Sequence, residues 1–214
     1  MNFNTTGFIF ASGEGSRLKE LVQSLGLPKH LFPIGNTTIA GRLATQLSNT
    51  CQEIVCVTQE AQVQQCQESF KSLPFPVKVI AKSKKGFRGD FEALTTATHE
   101  HIVLTMGDLI FPDSEVDLFV QKSQINREQA ILAFDADRIK VPRFPTVVDF
   151  RIVMTAIPKN LLSELIPLNP ESFFSIGFAF VRNYFKNRVS MALVKTLYNV
   201  NTPESYEEAK AFFN

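Results

Sequence analysis

The sequence predicts an α/β protein: a mixed, mostly parallel sheet flanked by helices and built as one domain. Three observations carry that prediction. Short, continuously apolar runs recur at residues 7–11 (GFIFA), 53–58 (EIVCVT), 77–81 (VKVIA), 101–106 (HIVLTM) and 130–134 (AILAF), the pattern of strands buried on both faces. Segments with helical spacing or composition separate them, and that alternation is the signature of a doubly wound sheet. The 214 residues, 44% hydrophobic and 20% charged, suffice to bury one core and contain no repeat, low-complexity tract or linker.

In chain order, the first strand gives way to a glycine-containing loop and then to RLKELVQSLG, in which Leu18, Leu21, Val22 and Leu25 share one helical face and Gly26 is a stop. Pro28 rules out continuation. Thr37 or Thr38 can cap a helix through about Ser48. The polar stretch 60–72 has helical composition, the basic loop KSKKGFRGD runs into a helix at Asp90, and a further helix spans 114–123. From Asp135 regularity weakens. RIKVPRFP is a proline-broken connection, TVVDFRIVMTAI reads as one or two antiparallel strands, and KNLLSELI and ESFFSIGFAFVRNYFKN read as helices. Strand-like VKTLYNV precedes a last helix, in which Thr202 caps and Pro203 takes the first helical position.

The chemistry concentrates in residues 10–31, FASGEGSRLKELVQSLGLPKHL. Gly13 and Gly15 let backbone N–H groups approach a phosphate, and Arg17 and Lys29 supply full charges. An ordinary strand-to-helix turn with two solvated cations is the alternative. The loop is not a dinucleotide GxGxxG, because Leu18 stands where the third glycine belongs. Nor is it a GxxxxGK[ST] phosphate loop.

FASGEGSRL followed by PKHLFPIGNTTI resembles the signature of nucleotidyltransferases that make NDP-sugars and related activated alcohols. HIVLTMGD and LYNVNTPESYEEA are similar to two later motifs of that family, in the same order. The resemblance implies a Rossmann-like fold of the nucleotide-diphospho-sugar transferase (GT-A-like) kind, with a nucleotide-binding part over 1–134, an acceptor-binding part over 135–198 and a metal motif with its helix over 199–214. It implies that Gly13, Glu14, Gly15 and Ser16 wrap the nucleotide phosphates, with Ala11 and Ser12 beside base and ribose and Gly89 and Asp90 near the base. Arg17 and Lys29 become the catalytic, phosphate-binding cations, and Asp108 and Asn201 the ligands of Mg2+. GDFEAL replaces the family's commoner GTAxAL, and Asn201 stands where many members carry aspartate, as it does in some molybdenum cofactor guanylyltransferases.

The implied partners are an NTP and a small phosphorylated acceptor: a sugar 1-phosphate first, a phospho-alcohol such as phosphocholine, or molybdopterin, second. A phosphate monoester is largely dianionic at neutral pH, so its attack on the α-phosphorus needs charge neutralisation and alignment, not a general base. Beyond the fifth strand only Asp149 is an obvious hydroxyl partner for a sugar, and Ala156 stands where a glycine is expected. A non-catalytic nucleotide-binding relative and a nucleotide-sugar-dependent glycosyltransferase are the rival readings.

The remaining residues exclude more than they add. A net charge of +1 gives no bulk attraction to nucleic acid or a membrane surface. No run reaches the length of a membrane span and no signal peptide is evident, so a cytoplasmic location is expected. Cys51, Cys56 and Cys66 lack metal or disulfide spacing and read as reduced thiols. Asp108 could instead cap a turn, and Asn201 could be a turn residue. His30, His99 and His101 read as structural or exposed. Among Lys82, Lys84, Lys85 and Arg88, a solvated group, Arg88 is the candidate to reach a phosphate.

Overall fold

Seven strands hydrogen-bond into one sheet in the computed structural model, which describes residues 3–84, 86–135, 152–168 and 189–214. They are β1 (Phe3–Phe10), β4 (Cys51–Thr58), β5 (Lys78–Ala81), β6 (His101–Met106), β8 (Ala130–Asp135), β9 (Ile152–Pro158) and β10 (Val189–Val194), in the order β10-β8-β9-β6-β1-β4-β5. Two short ribbons sit outside it, β2 (Pro33–Ile34) with β3 (Thr37–Thr38), and β7 (Leu109–Ile110) with β11 (Tyr198–Asn199). Neighbours run parallel except for β9, which is antiparallel to both β6 and β8. The predicted mixed, mostly parallel sheet is the one observed.

The apolar runs are strands because both faces of the sheet are covered. Alternate residues divide between two cores: Ile9, Cys56 and Val103 point to one, with α2 (Ile39–Ser48), α3 (Val63–Phe70) and α5 (Glu115–Ser123). Phe8, Phe10, Val55, Val57, Ile102 and Leu104 point to the other, with α4 (Phe87–Glu92) and α6 (Leu162–Leu165). Thr38, the second of the two candidate caps, accepts from the Gly41 N–H at 3.1 Å at the start of α2.

A third cluster positions the site. Leu18, Phe32, Ile34 and Ile39 pack against Ile110, Val200, Tyr206 and Ala209, joining the segment around residue 30 to the carboxyl end of β6 and to α7 (Pro203–Phe213). Thr202 caps α7 reciprocally with Ser205, and Pro203 occupies its first turn as expected. The Tyr206 hydroxyl donates to the Pro33 carbonyl at 3.1 Å.

Several boundaries differ from the expectations. The helix after the glycine loop opens with a 3-10 turn at Ser16–Leu18, continues as α1 (Lys19–Leu25) and leaves Leu25 exposed. β1 starts four residues early, at Phe3, because Thr5 and Thr6 are buried yet hydrogen-bonded: Thr6 donates to Glu53 at 2.8 Å. VKTLYNV is not one strand. Val194 ends β10, and Tyr198–Asn199 turns away to pair with β7. Of the stretch 146–157, expected as one or two antiparallel strands, the part from Ile152 is β9; residues 138–151 (Asp149 among them), residues 171–187 and Lys85 lie outside the described residues. Ala156 lies in β9, buried in the core.

Candidate active site

The site forms where α/β sheets bind ligands, beyond the carboxyl ends of the central strands. As β1 ends, the Gly107 N–H donates to the Phe10 carbonyl at 2.8 Å and the Ala11 N–H to the Val57 carbonyl at 2.8 Å, so the following loop leaves from a fixed point. Ser12 is held from two further strand ends. Gln59, just past β4, donates to its carbonyl at 2.8 Å, and Lys82, just past β5, donates to its hydroxyl at 3.2 Å. Gly15 has φ 65°, a left-handed conformation that any side chain would strain.

Residues 13–18, Lys29 and Asn201 line a cleft of about 240 Å3. Glu14, Ser16 and Arg17 are exposed on its wall, and Arg17 has no ion-pair partner among the described residues. Lys29 arrives because Pro28 ends the preceding segment in extended backbone, and His30 and Leu31, its neighbours in a 3-10 turn, are buried. His30 lies 3.3 Å from the Cys66 sulfur through Nε2. With both neighbours anchored inward, the Lys29 stem lies along the glycines. A Cβ at Gly13 would stand 3.4 Å from Lys29 Cε, and one at Gly15 3.7 Å from its Cδ.

The Lys29 ammonium donates to Asp108 Oδ2 at 2.5 Å and to Asn201 Oδ1 at 3.0 Å. Asp108 is carried by the turn between β6 and β7. Asn201 is delivered by the β7–β11 ribbon, whose next bond runs from the Val200 N–H to the Asp108 carbonyl at 2.9 Å. Asn201 in turn donates through Nδ2 to Asn199 Oδ1. Three residues from distant parts of the chain thus meet at one point, and two oxygen donors converge on one cation. That donor set also suits a hard divalent ion, with phosphate and water oxygens completing its shell. Among the described residues no three or more His, Cys, Asp or Glu side chains could hold a metal.

The other expected residues sit further off. Ala11 faces a narrow hollow of about 20 Å3 shared with Met106, Gly107 and Asp108, which Gly13 and Lys29 also line. Gly89 and Asp90 do not line either space. A Cβ at Gly89 would stand 2.1 Å from the Lys84 carbonyl oxygen, so this glycine is needed for the basic loop to fold back on α4. Asp90 is buried, with Oδ1 unpartnered. Burial raises its carboxyl above the ordinary range, against a hydrogen bond from Ser12 and the charge of Lys82.

Arg88 is not the cation that approaches the loop. It pairs with Glu92 one helical turn away at 3.1 Å, and Lys84, from the loop before the helix, reaches the same carboxylate at 2.7 Å. Lys82 takes that place. Gln59 is not singled out by the sequence, and Lys82 stands there only as one of four grouped cations behind Arg88, although both directly follow a strand's carboxyl end, and that position is the available signal.

The family model of the MobA-like NTP transferase domain matches residues 7–166, which contain the loop, Lys29 and Asp108. The chain belongs to this family. Solved structures similar to this NTP transferase domain include the inositol-1-phosphate CTP transferase of T. maritima, with a TM-score of 0.75 at 16% identity over 99% of this chain and 97% of that one. A nucleotidyl transferase of Methanothermobacter gives 0.74 at 17% identity over 98% and 97%. The 4-diphosphocytidyl-2C-methyl-D-erythritol synthase of Anaerococcus prevotii gives 0.70 at 15% over 99% and 98%. At these identities the likeness is one of fold. No curated protein matches by sequence. No helix among the described residues is long and apolar enough to cross a membrane.

Proposed function

We propose that this NTP transferase domain moves a nucleoside monophosphate from an NTP to a small phosphorylated acceptor, releasing pyrophosphate, with Mg2+ as cofactor. The observation that carries the reading is the Lys29 ammonium on the wall of the glycine-loop cleft, within hydrogen-bonding distance of Asp108 and Asn201. An acceptor phosphate oxygen attacks the α-phosphorus, the bond from that phosphorus to the bridging β-phosphate oxygen breaks, and the electron pair leaves with pyrophosphate.

The backbone of residues 13–16 receives the triphosphate, and Ala11 and Ser12 face the nucleoside, with Asp90 accepting from the Ser12 hydroxyl. Arg17 offers a planar fork of donors to the phosphate oxygens, and Lys29 a compact charge that offsets repulsion between the two anionic reactants. Asp108 and Asn201 hold the metal, which when bound neutralises further phosphate charge. A sugar 1-phosphate is the first acceptor class. Phospho-alcohols come next, and molybdopterin is a third candidate.

The test is a panel of the four NTPs against pooled sugar phosphates, phospho-alcohols and molybdopterin, read by pyrophosphate release. Lys29→Ala and Asp108→Ala are expected to lower kcat by about 100-fold or more, while Lys71→Ala, at an exposed ion pair with Glu68, leaves it unchanged. Nucleotide binding with no turnover in any combination would replace this reading with that of a nucleotide-binding module. Transfer of sugar from an NDP-sugar without pyrophosphate release would replace it with that of a glycosyltransferase.

A further inference from the structure

Lys29 lines both the glycine-loop cleft, together with Asn201, and the narrow hollow that contains Asp108. Its ammonium is bonded to both oxygen donors that the proposed function gives to the metal. Lys29 and Asp108 are both largely shielded, with side chains 13% and 10% exposed, so their attraction is screened little by water. A divalent ion arriving alone must displace this ammonium or share the same oxygens with it, and like charges at such separations repel strongly.

We infer that Lys29 is the resident cation of the metal position, so that the protein accepts its divalent ion together with the triphosphate and not before it. This inference rests on the functional reading above. The geometry supplies the means. The lysine stem runs over Gly13 and Gly15, with no side chain from either residue in its way. A triphosphate in the cleft that Lys29 already lines offers it a second anionic partner, and turning the ammonium toward the phosphates frees the oxygens of Asp108 and Asn201. The substrate is then the metal–nucleotide complex, and the same lysine serves as a placeholder before binding and a phosphate ligand after it.

The test needs no catalysis. Mn2+ is titrated into the full chain without nucleotide, and free Mn2+ is read by electron paramagnetic resonance. Lys29→Met keeps the stem and removes the charge, and it is expected to bind Mn2+ at least about tenfold more tightly than the wild type. Lys29→Arg keeps the charge and is expected to remain as weak as the wild type. Adding Asp108→Asn to Lys29→Met should abolish the gain. If thermal melting shows Lys29→Met to be unfolded, Lys29→Gln takes its place.

Equal Mn2+ affinity in the wild type and the uncharged variant overturns the inference, as does a gain that survives Asp108→Asn. The pyrophosphate assay separates the two claims. Turnover with no gain in metal affinity removes the placeholder role alone. A gain without turnover on any substrate pair removes the proposed reaction and leaves the competition between Lys29 and metal established.

Discussion

Acid should unfold this protein in part through one histidine far from the cleft. His101 opens β6, is 2% exposed, and accepts a hydrogen bond at Nδ1 from Gln124 Nε2 at 3.0 Å. The neutral ring therefore carries its proton on Nε2, which is buried without a partner. Burial, and secondarily the charge of Arg127, lower its pKa from 6.5 to about 4. The unfolded chain takes up this proton near pH 6.5 and the folded chain only near pH 4. The histidine costs the fold nothing above that window and destabilises it progressively on acidification through it. Linkage over the difference gives a loss of about 2 kcal/mol at pH 5 and about 3 kcal/mol at pH 4, a large share of a typical stability of roughly 5–15 kcal/mol.

The assay is urea unfolding of the wild type and His101→Gln at pH 7.5 and pH 5, followed by far-ultraviolet circular dichroism because the chain has no tryptophan. Carboxylates such as Glu53, where burial is outweighed by hydrogen bonds from Thr98 and Thr6 that hold the acid below its ordinary range, titrate in both proteins and cancel in the comparison. The variant should lose about 2 kcal/mol less than the wild type over that interval. Equal losses would refute the argument. If the variant does not fold, the wild-type His101 ring resonance, titrated by NMR, serves instead, and a midpoint near 6.5 is the refuting result.

Two further substitutions test the support of the glycine loop and its neighbours. Gly89→Ala forces a methyl against the Lys84 carbonyl and should destabilise the fold by about 2 kcal/mol or more, read as a fall in melting temperature; an unchanged melting temperature would mean that the basic loop is not folded back on α4. Lys82→Met removes the donor to the Ser12 hydroxyl and should raise KM for the nucleotide by up to roughly tenfold with little change in kcat. An equal fall in kcat with unchanged KM would place Lys82 in the reaction itself.

What could be read from the sequence follows from how each feature is encoded. The central strands were legible because burial on both faces leaves uninterrupted apolar runs. The amino end of β1 was not, since Thr5 and Thr6 satisfy their hydroxyls inside the sheet through His101, Gln124 and Glu53, all distant in sequence. β10 was hidden because its outward residues, Met191 and Leu193, are as apolar as its inward ones. Gly13, Gly15, Arg17, Lys29, Asp108 and Asn201 stood out singly from their motifs. Their meeting depends on the two-residue ribbon of β7 and β11, too short to leave a pattern. Among four clustered cations, the choice of Lys82 over Arg88 rests on Glu92, which holds Lys84 and Arg88 away from the loop.

The attachment of α7 has a consequence for the order in which the protein becomes competent. Phe32 and Tyr206 pack as a tilted pair with ring centres 5.0 Å apart, and Arg42 lies 4.5 Å over the Phe213 ring, so the helix that follows Asn201 is fastened to elements formed near the start of the chain. Synthesis runs from the amino end. The glycine loop, Lys29 and Asp108 leave the ribosome long before Asn201, and the helix that steadies Asn201 follows later still. Until residues 198–213 have emerged and docked, a nascent chain would hold the Lys29–Asp108 pair without its third member, a half-built pocket that waits on a segment about 90 residues further along.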